Sequence, residues 1–67
     1  MKNRIAGYRR MLGYTQASIA KEFGISKQSW FLKEKGTIAF SDDEKIKFQQ
    51  MLKEIFPTIT IDEIFFN

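Results

Sequence analysis

The stretch KQSWFLKEK, residues 27–35, carries the side chains of this chain with most to offer another molecule. The Gln28 amide can donate to adenine N7 and accept from adenine N6 at once, a pairing worth ~1–3 kcal/mol of discrimination against a wrong base. Lys27 and Lys35 supply charge, and the Ser29 hydroxyl both donates and accepts. A glutamine on a helix is also, more simply, a solvated side chain, so its surroundings must decide. Catalytic chemistry has far less to work with. The chain has no His and no Cys, which removes the commonest general base, the usual zinc ligands and the thiol nucleophile. Asp42, Asp43 and Glu44 form the only dense carboxylate group, and acidic residues directly after a serine are what the first turn of a helix favours. No glycine-rich phosphate loop is present. The inventory points away from an enzyme, and no metal or cofactor is expected.

The elements that would hold residues 27–35 in place can be read from caps and periodicity. Ile5, Tyr8 and Leu12 recur at spacings of three and four and predict a first helix from about Lys2 to Met11, stopped by Gly13. Thr15 is a good N-cap for a second helix, Gln16 to Phe23, with Ile19, Ala20 and Phe23 inside. Gly24 supplies the left-handed backbone that a helix end often needs. Ser26 caps a third helix, about Lys27 to Lys35, which ends at Gly36. Ser41-Asp42-Asp43-Glu44 reads as the capping box of a fourth, with Ile46, Met51, Leu52, Ile55 and Phe56 available to the core and Pro57 as its stop. The last segment is ambiguous: Thr60-Ile61-Asp62-Glu63 is another capping-box pattern, whereas Ile59, Ile61 and the β-branched threonines alternate like a strand. A short fifth helix is preferred.

Helical geometry then assigns the faces of the third helix. Rotating ~100° per residue from Trp30 puts Ser26 and Glu34 on its side and Gln28, Leu32 and Lys35 opposite, with Ser29 and Phe31 on the flanks and Lys27 in the first turn. Trp30 is assigned to the core. Helices of about eight residues are not stable alone in water, so each must be packed against the others, and what stays outside is the place to look for function.

Length and charge set the frame. Sixty-seven residues make one domain, residues 1–67, close to the size at which a single core becomes marginal. Seven Phe, two Tyr and one Trp argue against disorder. There is no apolar run of about 18 residues, and MKNRIAGYRR lacks the apolar centre of a signal peptide. A soluble intracellular protein with no membrane partner is expected. Residues 1–36 hold eight cations against two anions, a balance of +6, while residues 37–67 hold three against six, a balance of −3. The N-terminal half suits an anion, although the same cations would also serve a solvated surface.

Two short helices with a cap and a glycine between them, and a first helix to bury them, describe a helix-turn-helix. Thr15-Gln16, Ile19-Ala20, Gly24-Ile25-Ser26, Trp30, Glu34 and Gly36 stand without a gap in the register of the Cro/CI-type phage repressor and xenobiotic-response-element regulator family. Arg9 and Gly13 match its pattern too, and the resemblance spans roughly residues 4–56. It implies an all-α, compact four- to five-helix, lambda-repressor-like fold, with the helix-turn-helix proper at about 15–36. It further implies a transcriptional regulator in the cytoplasm of a bacterial host, phage or prophage in origin, binding a double-stranded DNA operator as a homodimer. Carried over residue by residue, Gln16 becomes a phosphate contact at a positive helix N-terminus, Lys27, Gln28, Ser29 and Leu32 become base readers, and Lys35 lies near the backbone. Arg9 and Glu34 match a pair that often forms an internal salt bridge, which leaves Arg10 free for a phosphate.

The chain departs from the family's pattern at Phe31-Leu32, where many relatives have a polar pair, and at Lys33, where many have Trp. Phe31 and Leu32 could contact thymine methyl groups or seat a protein partner, so a helix-turn-helix module that binds another phage regulator, as an antirepressor or modulator, stays open beside the DNA-binding reading. At the C-terminus, Ile61, Ile64, Phe65 and Phe66 are more apolar than one short helix can bury. Ile61 and Ile64 are assigned to the core. Phe65 and Phe66 point ~100° apart, and they are the expected dimer contacts, with at least one of them exposed.

Overall fold

Residues 4–66 are described by the computed structural model, and four of the five helices in it begin on a hydroxyl cap. The helices are α1 (Arg4–Met11), α2 (Gln16–Glu22), α3 (Lys27–Glu34), α4 (Asp42–Leu52) and α5 (Ile61–Phe65). Thr15, Ser26, Ser41 and Thr60 each accept from a backbone N–H three residues on, which satisfies one of the donors a helix start leaves open. At Ser41 and Thr60 the cap is reciprocated by Glu44 and Glu63, and at Thr15 by Ser18. The ambiguous C-terminal segment is therefore a helix, and no strand occurs among the described residues. The expected start of the first helix at Lys2 lies outside the described residues.

The α2–α3 connection is tight because Gly24 takes φ +70°, a region closed to most side chains. Nothing lies within 4 Å of where its Cβ would stand, so the constraint there is backbone alone. Phe23 and Lys35, expected as the last residues of α2 and α3, are instead their C-caps.

The core is aromatic. Trp30, Phe48, Ile19 and Leu52 are fully buried, with Ala20 and Ile64 close behind. Phe23, Phe40 and Phe48 surround the indole at centroid distances of 5.2, 5.3 and 5.9 Å, and such pairs each add ~0.5–1.5 kcal/mol beyond their buried area. The Trp30 Nε1–H has no hydrogen-bond partner among the described residues, so packing holds the ring. Ile5 is buried, and Tyr8 and Leu12 are partly buried against the same cluster, as the spacing on the first helix predicts.

Helix α4 corrects the expected core. Its buried residues are Phe48 and Leu52, one turn apart, and Met51 packs partly against them. Ile46, Ile55 and Phe56 are exposed. Ile46 stands two positions, ~200°, from Phe48, so both cannot face inward. The helix also stops at Leu52 rather than at Pro57, which puts Ile55 and Phe56 in the turns that follow. Phe56 finds company only at the edge, against the Tyr8 ring at 6.2 Å.

Candidate nucleic-acid interface

Helix α3 is fixed from within by one apolar and one charged anchor. Trp30 fills the core, and Glu34, one turn later, is buried beside Arg9. The Glu34 carboxylate accepts from Arg9 Nε at 2.8 Å and from Gln16 Nε2 at 2.6 Å, while Arg9 Nη1 donates to the Tyr14 carbonyl at 2.9 Å. A buried ion pair is tolerable only when its remaining hydrogen-bonding capacity is met, and here each carboxylate oxygen has a donor. The Arg9–Glu34 pair matched from the family's pattern is thus present.

Gln16 is drawn into the same network. Expected as a phosphate contact, it is half-buried and gives one amide hydrogen to Glu34. An amide nitrogen carries two, and the second has no acceptor among the described residues. Gln16, Arg10 and Lys27 line one shallow depression together with Tyr14 and Thr15. Three residues from separate parts of the sequence, two of them cationic, are thereby brought together.

The outward face of α3 is turned from the expected one. Residues Ser29, Lys33, Trp30 and Glu34 form its half-buried to buried arc. The centre of that arc lies about 30° from Trp30, toward Lys33, at ~100° per residue. Gln28 and Lys35 stay outside as expected, and Lys27 is exposed in the first turn. Leu32, expected opposite Trp30, tips back to half-buried. Phe31, expected on the flank, comes forward at 41 % exposure. The Lys35 ammonium stands 5.3 Å from the Phe31 ring centroid, so the two form a single amphipathic feature on the next turn of the helix after Gln28. Ser29 is half-buried, and its hydroxyl and backbone N–H are both engaged by Ser26. It is a capping partner for Ser26.

Cations near α3 differ in how committed they are. Lys33 Nζ binds Glu44 at 3.0 Å and the Ala39 carbonyl at 3.3 Å. Partial burial alone raises the Glu44 pKa. The Ser41 backbone N–H, the Lys33 ammonium and the Ser41 hydroxyl outweigh it together and hold the carboxyl below the ordinary glutamate range. Of the dense acidic group at the start of α4, Glu44 therefore closes the helix cap and pairs with Lys33. Arg10, Lys27 and Lys35 enter no ion pair among the described residues.

At the C-terminus the two phenylalanines separate. Phe65 packs on the core, with centroids 5.2 Å from Phe40 and 6.0 Å from Phe48. It is therefore removed from the expected dimer contact, because α5 turns that side toward α4. Phe66 is 63 % exposed, and the Lys45 ammonium stands 4.7 Å from its ring. Ile64 is buried and Ile61 half-buried. Sequence reasoning missed the Gln16–Glu34 bond, which spans 18 residues and has no local signal, and the prominence of Phe31. No helix among the described residues is long and apolar enough to cross a membrane. No protein-family model matches this chain, and neither does any curated protein or solved structure.

Proposed function

We propose that this chain is a sequence-specific regulator that binds double-stranded DNA, of the Cro/CI type, with α3 laid in the major groove. The observation that carries the reading is the division of α3. Trp30 and Glu34 are spent on the fold, while Lys27, Gln28 and Lys35 are left exposed along one face, with Arg10 and Gln16 converging beside its first turn. In this reading Lys27 and Gln28 read base edges, Phe31 and the exposed edge of Leu32 meet thymine methyl groups, and Arg10, Gln16 and Lys35 hold phosphates. One such helix covers only a few base pairs, so two copies pair on an operator whose half-sites lie about 34 Å apart. The setting is the cytoplasm of a bacterial host, and the origin a phage or prophage.

The test is selection of duplexes from a randomised pool, followed by fluorescence anisotropy on the enriched sequence. Binding should weaken with salt by ~0.9 log units per phosphate contact for each log unit of salt concentration. Arg10→Gln should reduce that slope and leave the sequence preference intact. Gln28→Ala should relax preference at one position of each half-site by ~1–3 kcal/mol. Failure to enrich any sequence, or an enriched sequence that Gln28→Ala reads as well as the parent, removes the proposal. A second reading, a module that binds another regulator through α3, is favoured by one observation, the 41 % exposure of Phe31. It predicts association that is insensitive to salt and abolished by Phe31→Ser.

A further inference from the structure

A groove of about 460 Å³ runs between the C-terminal end of α3, the loop that follows it and α5. Its floor is apolar. Phe40 is buried and Phe65 half-buried, while Ile38 and Phe66 present 43 % and 63 % of their surface to solvent. Two large apolar side chains this exposed, lining one groove, are what a docking surface presents and an ordinary solvated face does not.

The rim is cationic and carries no available anion among the described residues. Arg4, Lys35 and Lys45 line it, and none of the three is in an ion pair among the described residues. Arg4 Nη1 donates to the Glu63 carbonyl, and the two lysines sit over the Phe31 and Phe66 rings. The carboxylate lining the groove, Glu34, is buried with both oxygens engaged by Arg9 and Gln16. A second copy docked symmetrically would set these three cations against their own duplicates, and like charges across an interface are unfavourable. The DNA backbone would meet the cations but leave Ile38 and Phe66 without apolar cover.

We infer that this groove receives an acidic peptide segment of another protein, with apolar side chains on the floor and carboxylates at Arg4, Lys35 and Lys45. The groove shares Lys35 with the proposed DNA-binding face, while Arg4, Ile38, Lys45 and Phe66 belong to the groove alone.

The experiment uses the full chain, labelled with ¹⁵N, and a panel of 12-residue peptides. Each peptide carries four glutamates around two of Leu, Ile, Phe or Trp at i,i+4 spacing, and each has a twin in which the glutamates are glutamines. At least one acidic peptide should shift the amide resonances of Ile38, Lys45 and Phe66, and its glutamine twin should bind at least tenfold more weakly. Lys45→Glu and Ile38→Ser, both at positions that circular dichroism should show leave the helices intact, should each weaken the acidic peptide at least fivefold. The inference is overturned by a panel that does not bind, by twins that bind equally, or by shifts that map elsewhere. It is overturned equally if these resonances move with protein concentration alone, which would make the occupant a second copy. Movement of the same resonances by a 20-base-pair duplex, with none by the peptides, assigns the groove to nucleic acid instead.

Discussion

Replacing Glu34 tests whether one buried carboxylate ties three helices together. Glu34→Ala would strand the Arg9 guanidinium with only the Tyr14 carbonyl, a loss of ~3–5 kcal/mol for a buried charge without its partner. A 67-residue domain has only ~3–10 kcal/mol of total stability at ~0.05–0.15 kcal/mol per residue, so that variant would sit near the folding threshold. Glu34→Gln is more informative. It keeps the shape, but an amide has one oxygen, so either Arg9 Nε or Gln16 Nε2 must face an NH₂ group. An unmet buried donor costs ~1–3 kcal/mol, and with the loss of charge the expected total is ~2–3 kcal/mol. The double variant Arg9→Met, Glu34→Leu removes both charges and should return to within ~1 kcal/mol of the parent. Trp30, the only tryptophan and fully buried, reports unfolding by fluorescence in urea. With a slope of ~1 kcal/mol/M for a small domain, Glu34→Gln should lower the midpoint by ~2 M or more. A drop below ~0.5 M, or a double variant whose losses add instead of cancelling, refutes the network as the joint between α1, α2 and α3.

Acid should destabilise the α3–α4 contact through Glu44. Its folded pKa is lowered, so its contribution is complete above the unfolded value of about 4.3 and disappears as pH falls through the lower folded value; Lys33→Met, followed by urea midpoints at pH 7 and in acid, should shrink that part of the acid sensitivity. The glycines should respond with opposite signs in thermal melts. Gly7→Ala, helical and with open space at its Cβ position, should stabilise by ~0.5–1 kcal/mol, whereas Gly24→Ala should destabilise by ~1–2 kcal/mol at φ +70°. Phe65→Ser should cost ~2 kcal/mol or more through lost ring contacts, while Phe66→Ser should stay within ~0.5 kcal/mol of the parent, both measured in urea.

What the sequence disclosed about the fold was local. Thr15, Ser26, Ser41 and Thr60 announce helix starts because a cap needs only a hydroxyl and the N–H three residues on. The C-terminal segment shows the strength of that signal: Thr60 and Glu63 close their box despite an alternating pattern. The aliphatic and aromatic residues Ile46, Met51, Leu52, Ile55 and Phe56 do not share one face, and it is Phe48 with Leu52 that forms the i,i+4 pair the helix buries. Phe40, outside any helix, belongs to no period at all, and its place beside Trp30 depends on chain folding over many residues. In the candidate interface, Gln28 and Lys35 were legible because they lie opposite Trp30. Leu32 and Phe31 are misordered because half-buried Ser29 and Lys33, on the side of Trp30 away from Glu34, shift the inward arc of α3 by about 30°.

The anchoring of the last turn of α3 and the Gln16 bond have one cause. A carboxylate can be buried only where donors converge on it, and the donors here come from α1 and from the first residue of α2. Meeting them ties the last turn of α3 to α1 and to the start of α2. The same carboxylate takes one hydrogen of the Gln16 amide, which leaves the other aimed by a rigid partner instead of a free rotamer. A bond that serves the core thus also orients a side chain at the edge of the cationic depression, beside Arg10 and Lys27. In a domain this small, holding the fold and presenting α3 are carried by the same residues.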